Sequence, residues 1–266
     1  MKVVTHRIAY KNFGETFRLK PIFDVHLGSV ACDEQAFKKY LADSDERTRF
    51  IGGGDLMDCV VPKDAKRYSK SGDASDVDAV LDWQVDRAES LLWDYKDRII
   101  GLGIGNHELS AIKYHSTNVV KRLCRRLGVP YLGFSGLVRL IFRKKDGGGR
   151  TVVVRYHHGY GGGSRTQGAD LTKYSKDVKH WQADIFLYGH THKRNTDTVS
   201  RIGLVGERIV NKDKHVAICG TYLKTYTKGD DTTYSEERGY PPVSIGGVCI
   251  EISPAHEWVK IRAYQD

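Results

Sequence analysis

The chain has 266 residues, 40% of them hydrophobic and 10% aromatic, which is enough to bury a substantial core and excludes a disordered polymer. No apolar run reaches the roughly 18–20 residues that cross a bilayer, and the opening MKVVTHRIAYKNFGETF lacks the apolar stretch and cleavage site of a secretory leader. Five scattered cysteines (Cys32, Cys59, Cys124, Cys219, Cys249) without CxxC spacing argue against a disulfide or thiolate-metal framework and for a reducing, cytoplasmic setting, while a net charge of +9 favours anionic partners.

In chain order, VVTHRIAY and ETFRLKPIFD read as two strands joined into a hairpin through the Asn12–Gly14 turn. Glu34 to Leu41 reads as a short helix, and RFIGGG as a strand running into Asp55. The clearest helix spans Asp76 to Asp97, where Val77, Val80, Leu81, Val85, Ala88, Leu91 and Leu92 recur at helical spacing and Ser75 or Asp76 can cap the start. RIIGLGIG is a buried strand ending at Asn106, and a helix from Thr117 to Leu127 is stopped by Gly128 and Pro130. LVRLIFRKKDGGGRTVVVRYHHG reads as two strands around a turn at Gly147–Gly149. A helix from Leu171 to Trp181 precedes the strand DIFLYG, and the remainder is strand-rich. Helices alternate with strands early and strands dominate late, with no repeat or linker. The pattern predicts a single α/β domain over residues 1–266, a four-layer α-β-β-α sandwich of two mixed β-sheets flanked by helices.

Five short polar segments each follow an apolar strand: Asp24-Val25-His26, Gly54-Asp55-Leu56-Met57-Asp58, Gly105-Asn106-His107-Glu108, His157-His158-Gly159 and Gly189-His190-Thr191-His192. Ligands of open α/β sheets bind at such carboxyl ends. Carboxylate, imidazole and amide oxygen suit Mn2+, Fe or Zn2+. In DxH and HxH, alternate residues of an extended segment point the same way, so each motif directs two side chains at one place. One carboxylate can bridge two cations, and two cations together can activate water.

Taken in order, DVH…GDLMD…GNHE…HHG…GHTH resembles the signature of the calcineurin-like metallophosphoesterase superfamily, over residues 24–192. The resemblance implies that Asp24, His26 and His192 hold one divalent metal ion, that Asp55 bridges two, and that Asn106, His190 and one of the His157–His158 pair complete the second. In this family the fourth-motif ligand precedes a glycine, which favours His158. His107 is implied as the catalytic, non-ligand histidine beside the phosphate. Mn2+ is the first expectation, with Fe, Zn2+ or Ni2+ as alternatives. DVHLG is also similar to the opening motif of nuclease subunits from double-strand-break repair complexes. The chain is shorter than those and looks closer to compact stand-alone members, often encoded by phages. Family members are frequently dimers, so a homo-oligomer is compatible with the likeness.

Outside the motifs, His6, His115, His180, His215 and His256 read as ordinary surface or core histidines. His157 either orients His158 or faces the other side of its strand. Asp58 reads as an acceptor holding a ligand histidine, and Glu108 as structural. The run Tyr160–Arg165 is either a plain turn or a glycine loop that brings backbone N–H groups and Arg165 to a phosphate. Lys193 and Arg194, directly after GHTH, stand where substrate contact is expected. Lys121, Arg122, Arg125 and Arg126 read as a solvated helix face, with a phosphate-attracting surface as the alternative.

The expected activity is hydrolysis of a phosphodiester, DNA or another nucleic acid, by in-line attack of a metal-bridging hydroxide. A phosphomonoesterase acting on nucleotides, phosphoproteins or small phosphates is the alternative. The absence of a G-x-S-x-G elbow disfavours covalent acyl chemistry. No zinc-finger spacing, helix-turn-helix or RNP motif supports a sequence-specific binder. A scaffold that kept only the fold should have lost ligands, and every expected position is filled.

Overall fold

The computed structural model describes residues 1–60, 79–145, 147–166, 168–228 and 233–266. In chain order its elements are β1 (Lys2–Tyr10), β2 (Phe17–Phe23), α1 (Glu34–Ala42), β3 (Thr48–Gly54), α2 (Val80–Leu92), β4 (Ile99–Gly103), α3 (Asn106–His115), α4 (Val119–Leu127), β5 (Tyr131–Gly133), β6 (Ser135–Lys144) and β7 (Gly149–His157). They continue with α5 (Ala169–Ser175), β8 (Ile185–Tyr188), β9 (Arg194–Val199), β10 (Ile202–Val205), β11 (Arg208–Asn211), β12 (Lys214–Cys219), α6 (Tyr234–Glu237), β13 (Val248–Pro254) and β14 (Val259–Gln265). Among the described residues, no helix is long and apolar enough to cross a membrane.

The strands that read as apolar or glycine-rich throughout are buried on both faces, as parallel strands covered on two sides must be. β2, β3 and β4 run parallel at the centre of one mixed sheet, ordered β14-β13-β2-β3-β4-β5. β7 and β8, also parallel, lie at the centre of the other, ordered β1-β6-β7-β8-β12-β9. The sheets pack face to face: Phe17, Leu19, Phe23 and Ile51 share a core with Val138, Val154, Ile185 and Leu187. Helices α1 to α4 cover the outer face of the first sheet, with Phe37, Leu41, Val85, Ala88 and Leu123 against Phe50 and Leu102. On the second sheet, Tyr174 of α5 and Val178 lie against Phe186, Tyr188, Val216 and Ile218. The result is the four-layer α-β-β-α sandwich expected from the element pattern.

The expected N-terminal hairpin does not form. β1 pairs in parallel with β6 at the edge of the second sheet, while β2 sits in the first sheet between β13 and β3. The burial patterns give the reason: β1 buries only Ile8 and Tyr10, which suits an edge, whereas β2 is buried almost throughout. Even Lys20 of β2 is fully buried, its ammonium 3.0 Å from Asp43, 2.5 Å from Asp266 and 4.1 Å from the Tyr40 ring centroid, as a buried charge requires partners. The long second helix is observed as Val80–Leu92 followed by a 3-10 turn at Trp93–Arg98. Its expected first turn, with Ser75, Asp76 and Val77, lies outside the described residues. The expected helix to Trp181 likewise ends at Ser175, and a 3-10 turn continues to Lys179. α4 begins at Val119 because the Asn118 side chain accepts from the Lys121 N–H (2.8 Å), and Gly128 in the left-handed region ends it.

Two layers of sheet need a polar tie as well as apolar contact. The fully buried Tyr156 of β7 donates to the Leu132 carbonyl of β5 across the interface, at 2.7 Å. Tyr156→Phe leaves that buried acceptor without its donor. The expected loss is about 1–3 kcal/mol, read as a lower urea midpoint at unchanged slope.

Candidate metal centre

All five motifs lie at the carboxyl ends of parallel strands, on the loops that leave them or, for Asn106 to Glu108, in the first turn of α3. β2 leads to Asp24 and His26, β3 to Asp55 and Asp58, and β4 to Asn106 and His107. From the facing sheet, β7 leads to His158, and β8 to His190 and His192. The loops are laced by backbone bonds that extend the sheet: Asp24 N–H to Gly54 O (3.1 Å), His26 N–H to Asp55 O (3.0 Å) and Gly189 N–H to His158 O (2.8 Å).

The donor atoms converge as three overlapping groups: Asp24, His26 and His192; His26, Asp55 and His107; and Asp55, His158 and His190. Nε2 of His26 and Nε2 of His192 face each other at 3.1 Å. Asn106 Oδ1 lies 2.9 Å from His158 Nε2 and 2.8 Å from His190 Nδ1, and Asp55 Oδ2 lies 3.2 Å from His158 Nε2. Asp55 thus belongs to two donor groups, one with His26 and His107 and one with His158 and His190.

The outer ring nitrogens explain why the inner ones point inward. His26 Nδ1 donates to Asp58 Oδ1 (2.9 Å), His158 Nδ1 to Gly53 O (3.2 Å) and His107 Nδ1 to Asp58 O (2.6 Å). Each bond places the proton on Nδ1 and leaves Nε2 for the centre. Glu108, fully buried, accepts from the Gly105 N–H (2.8 Å), the Asp55 N–H (2.9 Å) and the Met57 N–H (3.1 Å), and so fastens the second motif to the third. Asp24 in turn accepts from the His190 N–H at 2.7 Å, and Asp55 from the His107 N–H at 2.9 Å.

The alternation expected for DxH and HxH is not how these pairs meet. Asp24, His26, Asp55, His190 and His192 all lie in the left-handed region, with φ of 48, 56, 51, 70 and 57°. Among the described non-glycine residues only Cys59 and Ser116 share it. Such conformations cost energy and persist where surrounding structure holds them, typically at functional sites. The glycine before a ligand has a related cause. A Cβ on Gly54 would lie 2.3 Å from Gly105 N, one on Gly105 2.1 Å from Asp55 Oδ1, and one on Gly189 2.5 Å from Asp24 Oδ2.

Burial and close neighbours shift the charged groups of the cluster in opposite directions. Burial pushes the Asp24 carboxyl up to about 8, with Asp55 adding to it, and burial lowers His26 and His192. His158 is opposed by burial yet is lifted to about 9 by Asp55 beside it. Asp58, despite burial, is held well below the usual range by bonds from His107 and His26. Asp24 Oδ1 is buried with no hydrogen-bond partner, 3.9 Å from His192 Nε2. A buried carboxylate oxygen left without a donor, grouped with the facing Nε2 atoms of His26 and His192, fits a divalent cation.

The remaining sequence candidates fall elsewhere. His157 turns away from the cluster: its Nδ1 accepts from the Gly159 N–H at 2.9 Å, its ring packs on Phe134 and Tyr160, and burial, with Arg155, lowers its pKa to about 4. Lys193 is tied to Asp170 (2.8 Å) and to Ser164 O. Arg194 is directed to the Asp266 carbonyl (2.5 Å) rather than to the cluster, because it opens β9, which pairs with β12. Arg165 is exposed on the glycine loop. Arg122 and Arg126 are paired with Asp82, Asp86 and Glu89 on α2. His6, His115, His180, His215 and His256 are all outside the three donor groups. Thr221, outside every motif, donates its Oγ1 to the Asp24 carbonyl (2.8 Å). Nothing in a lone Thr far along the chain signals that contact.

No protein-family model and no curated protein matches the chain. Solved structures similar to it include Vps29 from Chaetomium thermophilum, at 10% identity over 94% of this chain and 85% of that one, with a TM-score of 0.41. A Vps29 variant from Entamoeba histolytica stands at 13% identity over 94% and 99% of the two chains, TM-score 0.40. A protein from Streptococcus pneumoniae described as a predicted phosphoesterase stands at 12%, 94% and 99%, TM-score 0.34. Identities this low say nothing of the site, whose chemistry rests on its own residues. Those residues are the five motifs that resemble the calcineurin-like metallophosphoesterase signature, gathered at one end of a four-layer sandwich.

Gly105→Ala forces a methyl group against Asp55 Oδ1. Isothermal titration with Mn2+ should show affinity reduced by at least about tenfold, the scale seen when a ligand's support is disturbed. An unchanged isotherm would mean that Asp55 is not a ligand in this position.

Proposed function

We propose that the chain is a metal-dependent phosphoric ester hydrolase acting on phosphodiesters, with nucleic acid as the substrate class. The observation that carries this reading is the overlap of two donor groups at Asp55, one with His26 and His107 and one with His158 and His190, with the orphaned Asp24 Oδ1 in the adjoining group of Asp24, His26 and His192. In this reading Asp24, His26, Asp55 and His192 hold one divalent cation. Asp55, Asn106, His158 and His190 hold a second. Mn2+ is the first to test, with Fe, Zn2+ and Ni2+ as alternatives of similar ligand chemistry. When bound, such a pair supplies activated water and neutralises charge on the phosphoryl oxygens.

The protein's own groups do the rest. Asp58 holds the His26 ring with Nε2 inward, and its carbonyl holds His107 in the same sense. His107, held by that bond beside His26 and Asp55, would as the imidazolium give its Nε2 proton to the leaving oxygen or bind the developing negative charge. The lacing of backbone bonds keeps the ligands from rearranging as charge moves.

Charge favours the diester. A monoester dianion needs more positive charge than a diester monoanion, yet Lys193 and Arg194 are engaged with Asp170 and Asp266. The overall charge of +9 draws a polyanion from a distance without adding a cation to the centre.

With added Mn2+, the protein should hydrolyse bis(p-nitrophenyl) phosphate faster than p-nitrophenyl phosphate and should shorten labelled oligonucleotides. Asp55→Asn and His107→Ala should each lower kcat by about 100-fold or more while circular dichroism is retained, and a chelator should inactivate reversibly. Preference for the monoester with intact oligonucleotides would sink the nuclease reading, and full activity in both variants would sink the centre itself.

A further inference from the structure

Beside the proposed centre lies a loop, Tyr160 to Thr166, that the hydrolytic reading leaves unused. It leaves His158 and passes directly over the GHTH motif. A Cβ on Gly159 would lie 2.6 Å from Cβ of His190, and one on Gly163 would lie 3.8 Å from Thr191. Thr191, between two proposed ligands, carries a buried hydroxyl with no partner.

This glycine-rich stretch is pinned from beneath by a carboxylate that is only 2% exposed. Asp170 accepts from the Ser164 N–H through both oxygens (3.2 and 3.1 Å), and pairs with Lys193 at 2.8 Å and Lys173 at 3.4 Å. The two lysines then donate to the loop's own carbonyls, Lys193 to Ser164 and Lys173 to Tyr160 (2.9 Å). Exposed turns ordinarily go without such anchorage, whereas loops that present function are held by a rigid scaffold. At the surface, the anchorage leaves Tyr160, 41% exposed, at one end and the exposed Arg165 near the other. An aromatic ring and a guanidinium beside a phosphoester-cleaving centre are the two elements that hold a single strand: a stacking platform for a base and a cation for its phosphate.

We infer that the Tyr160–Thr166 loop is a subsite for the nucleotide next to the scissile phosphoester of a single-stranded polynucleotide. Tyr160 stacks on the base, Arg165 takes the flanking phosphate, and Asp170 is the positioning residue that holds both in place through Lys173 and Lys193. This rests on the phosphodiesterase reading of the neighbouring centre.

The test is fluorescence anisotropy of the full chain, loaded with Mn2+, titrated with a labelled single-stranded phosphorothioate oligonucleotide across a range of salt. Tyr160→Ala and Arg165→Ala should each raise Kd about tenfold, and Arg165→Ala should also flatten the salt dependence by about 0.7. Asp170→Asn should lose at least as much affinity as Arg165→Ala, the Asp170→Asn/Arg165→Ala double variant should bind no worse than Asp170→Asn alone, and Asp170→Glu should recover part of the loss. Wild-type Kd and salt slope in Arg165→Ala, additive losses in the double variant, or equal affinity for a duplex of the same sequence would each overturn the subsite. Tyr160 and Arg165 are exposed, so their variants decide the matter even where Asp170→Asn does not fold. Loss of bis(p-nitrophenyl) phosphate turnover in the wild-type protein would instead count against the hydrolytic centre, since the binding measurement needs no turnover.

Discussion

The buried carboxylate of Glu108 is the constraint on which the rest of the site depends. Three backbone N–H groups, from Gly105, Asp55 and Met57, all point at its two oxygens. Those groups belong to loops that leave neighbouring parallel strands, and buried backbone donors must find acceptors. One side chain at the third position of α3 therefore does for two loops what a ladder does for two strands. Burial, with Asp55 close by, pushes its own pKa up to about 7, against the pull of the amides. The loops cannot drift apart without stranding either the carboxylate or its donors.

From that anchoring follows the crowding, and from the crowding the glycines and the left-handed backbones. Gly54, Gly105 and Gly189 each precede a donor residue and each faces a different motif at a distance no Cβ tolerates. Asp24, His26, Asp55, His190 and His192 turn sharply through positive φ so that their side chains reach inward from loops already in contact. The strain and the unmatched Asp24 Oδ1 are two faces of one arrangement. The fold brings these donor groups into close quarters, where the buried carboxylates of Asp24 and Asp55 repel each other.

The motifs themselves were legible in the sequence because each is a short run of unlike polar residues ending an apolar strand. The layer architecture was legible too, since buried parallel strands and amphipathic helices carry distinct periods. What was not legible is instructive. VVTHRIAY and ETFRLKPIFD have the chemistry of a hairpin at Asn12–Gly14, yet β1 has too few buried side chains to lie beside β2, and tertiary burial overrode the turn. α3 was hidden because NHELSAIKYH devotes its first turn to the site and keeps only a weak apolar stripe. Arg194 reads as a substrate contact by its place after GHTH, but it opens β9 and is drawn to the Asp266 carbonyl. Asp170 and Thr221 have no local signature, because their partners come from other parts of the chain.

The second sheet begins with a strand that must wait. Lys2 to Tyr10 can be hydrogen-bonded only when Gly136 to Lys144 arrive, and Asp24 is braced by Thr221 and Tyr222, which come later still. A chain emerging from the ribosome in order displays its histidines and aspartates long before the braces that shape them exist. Closure of so many distant pairings is slow, since loop entropy is lost before contacts offset it. The brace on Asp24 therefore forms only once Thr221 and Tyr222 have joined the fold.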